Sequence, residues 1–175
     1  MNYIVVGPPG SGKSTQAKLV AEELFLPYVE ASQILVEVAK TENGLGKLVR
    51  KSMGKGELVD ESLALMAVES HLQNPWFEKG FILDGFPRSL WQAKNFKITP
   101  DKIFYVKVSD KINTQRLIKR RRKDDKPGII KIRLKDYHFQ TEPILKFYRQ
   151  LGILEEVDGE RPIEVIFQDI LERLK

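Results

Sequence analysis

The sequence predicts an α/β protein: a P-loop three-layer α/β/α fold around a five-stranded parallel sheet, with a helical insertion and a very short lid. Three observations predict it. Short apolar runs alternate with longer segments of helical periodicity along the whole chain, the order expected of parallel strands joined by crossover helices. A glycine-rich loop, GPPGSGKS at Gly7–Ser14, joins the first apolar run to the first helical segment. The alternation then fails at only two places, one strandless and one densely charged.

The five expected strands are Asn2–Val6, Leu26–Glu30, Phe81–Asp84, Ile103–Val108 and Leu154–Val157. After the loop, STQAKLVAEEL carries the first helix, and Pro27 follows its end. Between Ser32 and Gln73 two or three helices are expected without a strand, broken by Gly44, Gly46, Gly54 and Gly56, which makes residues 31–73 an insertion carried on the sheet. Asp110 is expected to cap the helix running towards Arg122, and Pro162 to open the last helix, where a missing N–H does no harm. The segment Arg121–Gly128, RRKDDKPG, separates two helical patterns and is expected to form a short lid over residues 121–128.

A chain of 175 residues with 42% hydrophobic content can bury one sizeable core, so residues 1–175 are expected to form a single domain; a monomer is expected. The absence of cysteine excludes disulfides and thiolate metal sites and suits a cytoplasmic protein. No apolar stretch approaches the roughly 20 residues of a membrane span, so no membrane partner is expected. The net charge of +5 is local: Arg116–Lys135 holds ten cations and two anions, a balance of +8, which leaves −3 for the rest. That segment contains no aromatic residue. A concentrated cationic patch without stacking platforms suits a small polyanion in a cleft rather than a nucleic acid.

The Gly7–Ser14 loop satisfies G-x-x-x-x-G-K-[ST] between a strand-like and a helix-like segment, the context in which backbone N–H groups turn inward onto phosphates. Gly10, Ser11, Gly12, Lys13, Ser14 and Thr15 are the expected ATP phosphate ligands. Lys13 supplies a mobile ammonium to the β- and γ-phosphates, and the Ser14 hydroxyl is placed for Mg²⁺ or its water shell. Phe81–Asp84 is a buried-strand pattern ending in a carboxylate. In an open α/β sheet that end faces the ligand crevice, so Asp84 can organise the Mg²⁺ waters, though a strand-end acid also serves simply to cap a helix.

With GPPGSGKSTQ, ELVDE at Glu57–Glu61, DGFPR at Asp84–Arg88, TQRLIKRR at Thr114–Arg121 and TEPILKFY at Thr141–Tyr148 in order along it, the whole chain resembles the adenylate kinase family. DGFPR is the most specific of these. The resemblance implies phosphoryl transfer between ATP and a nucleoside monophosphate, with AMP preferred, and makes residues 31–73 the monophosphate-binding insertion. It implies that Arg88 grips the acceptor phosphate, that Gly85 and Phe86 line its pocket, that Glu57, Leu58 and Val59 present backbone to the acceptor base, and that Gln92 reads adenine. Ala31, Ser32, Val36 and Lys40 fall on the acceptor helix. Arg116 and Arg120 fall on the ATP side, Arg161 in a loop at the ATP base, and Arg122 and Arg133 where they close over the transferring phosphoryl. Lys13, Arg88, Arg120, Arg122 and Arg133 thus form the expected catalytic set. Fixed guanidinium groups suit a transition state that spreads negative charge over its oxygens.

Departures from the family pattern carry information. Ser14 replaces the usual glycine, the zinc-bearing long lid is excluded, and Val36 stands where an acceptor-phosphate arginine is expected, with Lys40 one turn further along as partial compensation. Ala31 is a residue that relatives acting on pyrimidine monophosphates tend to carry. UMP, CMP or broad acceptor use is therefore the alternative enzyme reading, and a nucleotide-binding regulatory module with weak catalysis is the non-enzymatic one. His71 and His138 are given no catalytic role, because the acceptor phosphate oxygen is already ionised.

Overall fold

The computed structural model describes residues 1–54, 59–122 and 125–174; among them the side chains of Met53 and Gly54 are not considered. Five strands form the sheet: β1 (Asn2–Val6), β2 (Tyr28–Glu30), β3 (Phe81–Asp84), β4 (Lys102–Lys107) and β5 (Leu154–Asp158). Their order is β2-β3-β1-β4-β5, and every neighbouring pair is parallel. In β1, Tyr3 and Val5 join one core while Ile4 and Val6 join the other. Both faces are covered, which is why NYIVV and FILD read as continuous apolar runs rather than alternating ones.

The face beneath α1 (Lys13–Glu23) and α9 (Ile163–Leu174) packs Ala17, Val20, Ile166 and Ile170 on Val5, Ile82, Phe104 and Val157. The opposite face is covered by α2 (Ala31–Lys40), α4 (Glu61–Leu72), α5 (Leu90–Asn95) and α8 (Pro143–Gln150), with Ile34, Val68, Phe86, Ile144 and Tyr148 packed on Ile4, Leu83 and Ile103. A third helix, α3 (Gly44–Gly54), packs on α2 and α4. So three helices lie between β2 and β3, in the stretch where the sequence offers no strand. No helix among the described residues is long and apolar enough to cross a membrane.

Away from the sheet, α6 (Asp110–Arg120) and α7 (Pro127–Asp136) share a small core of their own, Leu117, Ile130 and Leu134. A π-type turn, Tyr137–Thr141, connects α7 to α8.

Several boundaries differ from expectation; β4 runs from Lys102 to Lys107 rather than from Ile103 to Val108, and β5 extends to Asp158. Pairing in the second strand starts at Tyr28, not Leu26, because the Leu26 N–H turns back to the Ala21 carbonyl at 3.0 Å and closes the end of α1. Asp110 is the first residue of α6 rather than its cap; Ser109 holds the cap position without a side-chain bond. Pro127 sits in the first turn of α7, where its fixed φ suits the helix and its missing N–H is harmless, so the last two residues of the expected 121–128 lid are helical; Lys123 and Asp124 within it lie outside the described residues.

Candidate active site

β1 and β3 are neighbours with Val5 opposite Asp84, so the phosphate loop after β1 and the carboxylate ending β3 open side by side at the carboxyl edge of the sheet. This is where an open α/β sheet reverses its strand order and leaves a crevice. The loop turns through Gly10 and Gly12, both with φ near +88° (88° and 87°), a region that side chains with a Cβ disfavour. Ser11 between them is buried. Its N–H donates to the Pro8 carbonyl at 3.1 Å, and its hydroxyl accepts from the Lys13 N–H at 3.4 Å. α1 starts at Lys13, which places the positive end of the helix beneath the loop and Ser14 and Thr15 in the first turn.

Lys13 and Arg88 are reached by solvent yet surrounded by protein atoms, as groups on the floor of an open cleft are. Burial pushes the Lys13 ammonium below its ordinary value; Asp84 opposes the shift, and the guanidinium groups of Arg88, Arg133 and Arg120 reinforce it. Burial likewise lowers Arg88, with Asp84 and Glu30 opposing and Arg133 reinforcing. Lys13 on α1 therefore feels the charge of Arg88 in the loop after β3, of Arg120 on α6 and of Arg133 on α7, and Lys13 and Arg88 both feel Asp84. The backbone N–H of the fifth expected catalytic cation, Arg122, donates to Asp125 at 3.0 Å, and its side chain is exposed.

Arg120 and Arg133 share a counter-ion. Asp125, buried between α6 and α7, accepts from Arg120 Nε at 2.9 Å and from its terminal nitrogen at 2.7 Å, and lies 3.6 Å from Arg133. These donors hold the Asp125 carboxyl down to about 2, with the Arg120 hydrogen bonds the main cause.

The remaining expected residues divide. Arg116 donates to the Gly159 carbonyl at 2.9 Å and the Ser11 carbonyl at 3.4 Å, tying the phosphate loop to the β5–α9 loop. Arg161 turns to Asp158 and Asp169 and joins an ion-pair group with Arg173. Arg88 Nε donates to the Gly85 carbonyl at 2.9 Å. Phe86 is buried against Phe96. Gln92 is buried too, its Oε1 accepting from the Arg88 N–H at 2.8 Å and its Nε2 donating to the Glu61 carbonyl at 3.1 Å. One donor hydrogen and one lone pair of that amide remain for a base. Ala31, Ser32, Val36 and Lys40 lie along α2, with Val36 and Lys40 exposed. Val59 precedes α4; Glu57 and Leu58 lie outside the described residues.

Two residues that the sequence did not single out complete the floor. β2 lies beside β3 with Glu30 opposite Asp84, and the Tyr28 hydroxyl donates to Asp84 Oδ2 at 2.9 Å. Glu30 accepts from the Ser32 hydroxyl at 2.5 Å. The signal was the alternation in Tyr28-Val29-Glu30, which sends both polar side chains to one face; which strand they would face was not readable. Asp84 is 2% exposed, and its Oδ1 has no hydrogen-bond partner among the described residues. An unpartnered buried carboxylate oxygen is a hard-oxygen donor, which fits Mg²⁺.

The family model for adenylate kinase matches residues 5–153 of this chain. An adenylate kinase from Prochlorococcus marinus is 37% identical over 95% of this chain and 94% of its own length. The chain belongs to the adenylate kinase family. The likeness crosses domains of life: adenylate kinases from Archaeoglobus fulgidus and Methanocella arvoryzae are 35% and 33% identical, the former over the full length of both chains. Adenylate kinases are phosphotransferases, and the clustered cations at the carboxyl edge of this sheet are the equipment such an enzyme needs.

Proposed function

We propose that this enzyme transfers the γ-phosphoryl group of ATP to AMP, giving two molecules of ADP. The observation that carries the reading is the convergence of Lys13, Arg88, Arg120 and Arg133 with Asp84 beside a phosphate loop. A phosphoryl group in flight needs fixed positive charge and alignment; it needs no protein base when the attacking oxygen is an ionised phosphate. The loop N–H groups and Lys13 hold the β- and γ-phosphates, and Arg88 holds the acceptor phosphate. Arg120, Arg122 and Arg133 stabilise the charge that spreads over the transferring oxygens. Arg116 and the backbone at Arg161 flank the ATP side. Ser14 and Asp84 would hold Mg²⁺, directly or through water, and the ion would supply positive charge that offsets the charge of the phosphates.

Acceptor binding falls to α2, with Ala31, Ser32, Val36 and Lys40, and to Val59, Gly85, Phe86 and Gln92, joined by Glu57 and Leu58. Residues 31–73 act as the acceptor-binding insertion and the 121–128 segment as the lid. The relatives compared are named adenylate kinases, which favours AMP over the pyrimidine acceptors that Ala31 suggests. The absence of cysteine suits a cytoplasmic enzyme, and the concentrated cationic segment without aromatic residues suits small polyanions rather than nucleic acid; the enzyme is read as a monomer acting in nucleotide biosynthesis, without a membrane partner. A coupled assay supplying ATP with AMP, UMP or CMP tests the reading. AMP should give the highest kcat/KM by at least about tenfold. A better rate with UMP or CMP would overturn the acceptor assignment, and no turnover with any of the three would overturn the enzyme reading.

A further inference from the structure

We propose that Tyr28 is a positioning residue for the magnesium site, its hydroxyl fixing the orientation of Asp84. The inference rests on the magnesium role given above to that residue. Two observations carry it.

The first is the hydrogen bond from the Tyr28 hydroxyl to Asp84 Oδ2 at 2.9 Å, which anchors one carboxylate oxygen; among the described residues the other, Oδ1, is buried without a hydrogen-bond partner. A carboxylate with both oxygens loose could rotate about its terminal bond, whereas one held at Oδ2 presents a fixed Oδ1.

The second is that the ring itself is held. The Lys18 ammonium stands 5.3 Å from the Tyr28 ring centroid, one helical turn beyond Ser14 on α1. Glu30 Oε2 lies 3.5 Å from the same hydroxyl while Oε1 takes the Ser32 hydroxyl, so the arrangement continues into the first turn of α2. The 2.9 Å contact outcompetes the 3.5 Å one for the single proton, which assigns Glu30 to Ser32 and leaves Tyr28 to Asp84. Groups that orient metal ligands from the next shell change metal affinity or activity by roughly 10–100-fold when removed.

Tyr28→Phe keeps the ring, its volume and its contact with Lys18, and deletes only the hydroxyl. Calorimetric titration with the non-hydrolysable β,γ-imido analogue of ATP, with and without Mg²⁺, is the test, alongside thermal unfolding. In Tyr28→Phe the metal-free affinity should stay within about twofold of the parent, while the strengthening by Mg²⁺ falls roughly tenfold. kcat should fall with KM for AMP unchanged. Glu30→Gln is the second variant and should retain the Mg²⁺ effect. Full Mg²⁺ strengthening in Tyr28→Phe overturns the proposal. So does an equal loss in Glu30→Gln, or a loss of metal-free affinity together with melting temperature, which marks a purely structural role. Absence of any Mg²⁺ effect in the parent instead overturns the magnesium reading of Asp84 on which the proposal stands.

Discussion

At the scale of single residues, Lys13 shows how charge is managed in this cleft. Its ammonium is disfavoured by burial and by three guanidinium groups, and Asp84 alone among the named charges favours it. An incoming polyphosphate reverses that balance, so binding and charge stabilisation fall on the same group. Lys13→Met should leave the melting temperature nearly unchanged and lower phosphoryl transfer by several orders of magnitude; near-normal turnover in a folded variant would sink the mechanism. On the acceptor side the question is a missing cation. Val36 is 38% exposed on α2, and Lys40 stands one turn beyond it, its side chain leaning back towards the helix N-terminus. Val36→Arg should lower KM for AMP and Lys40→Ala should raise it, each by several-fold, with KM for ATP unmoved. Steady-state kinetics with each substrate varied in turn decide this, and an unaltered AMP constant in Lys40→Ala removes the compensation.

At the scale of elements, the α6–α7 pair behaves as a unit with its own core, and Asp125 is what aligns its arginines. The two-pronged contact to Arg120 is one that only a guanidinium can make. Asp125→Asn should therefore lower kcat on the order of tenfold, leaving KM for AMP near its original value, and Arg120→Lys should do much the same. An increase in kcat would mean that Asp125 competes with phosphate instead of orienting the arginines. The same group makes an acid-side prediction. Its carboxyl is depressed from 3.8 to about 2, so it contributes stability above its unfolded value that is lost as pH falls from near 4 towards 2. Melting curves across that window should show a decline in the parent that is smaller in Asp125→Asn.

At the scale of the molecule, His138 is a joint. Its two ring nitrogens reach Glu142 at 2.8 Å and Asp110 at 3.0 Å, tying the π-type turn to the starts of α6 and α8, while Thr141 in the same turn donates to the Arg88 carbonyl at 2.9 Å. The elements that bear Arg120, Arg133 and Arg88 are thereby linked. The hydrogen bonds to Glu142 and then Asp110 raise the imidazole above its usual 6.5. A raised value contributes stability that is fully present below the unfolded pKa and fades as pH climbs through the folded one. From about pH 6 to about pH 9, the melting temperature should therefore drop more in the parent than in His138→Gln. Equal slopes would show that the joint bears no load.

By itself the sequence determined the sheet, the phosphate loop and the family. Parallel strands buried on both faces must be continuously apolar, and a loop that wraps phosphate needs glycine and Lys-Ser at fixed spacing; both constraints act within a few residues and leave a local mark. The five strands are found within two residues of their expected limits, and Lys13, Asp84 and Arg88 meet at the edge where the strands end. What only tertiary structure decided is which distant polar groups face one another. Asp125 reads as one acid in a charged run, and only the packing of α6 on α7 buries it among guanidinium groups. Tyr28 and Glu30 read as ordinary strand residues until β2 is seen to pair with β3, and His138 reads as a surface histidine until the π-type turn carries it between two carboxylates. Local periodicity reports the environment of each residue's own element; partnership between elements depends on strand order and helix docking, which no local pattern records.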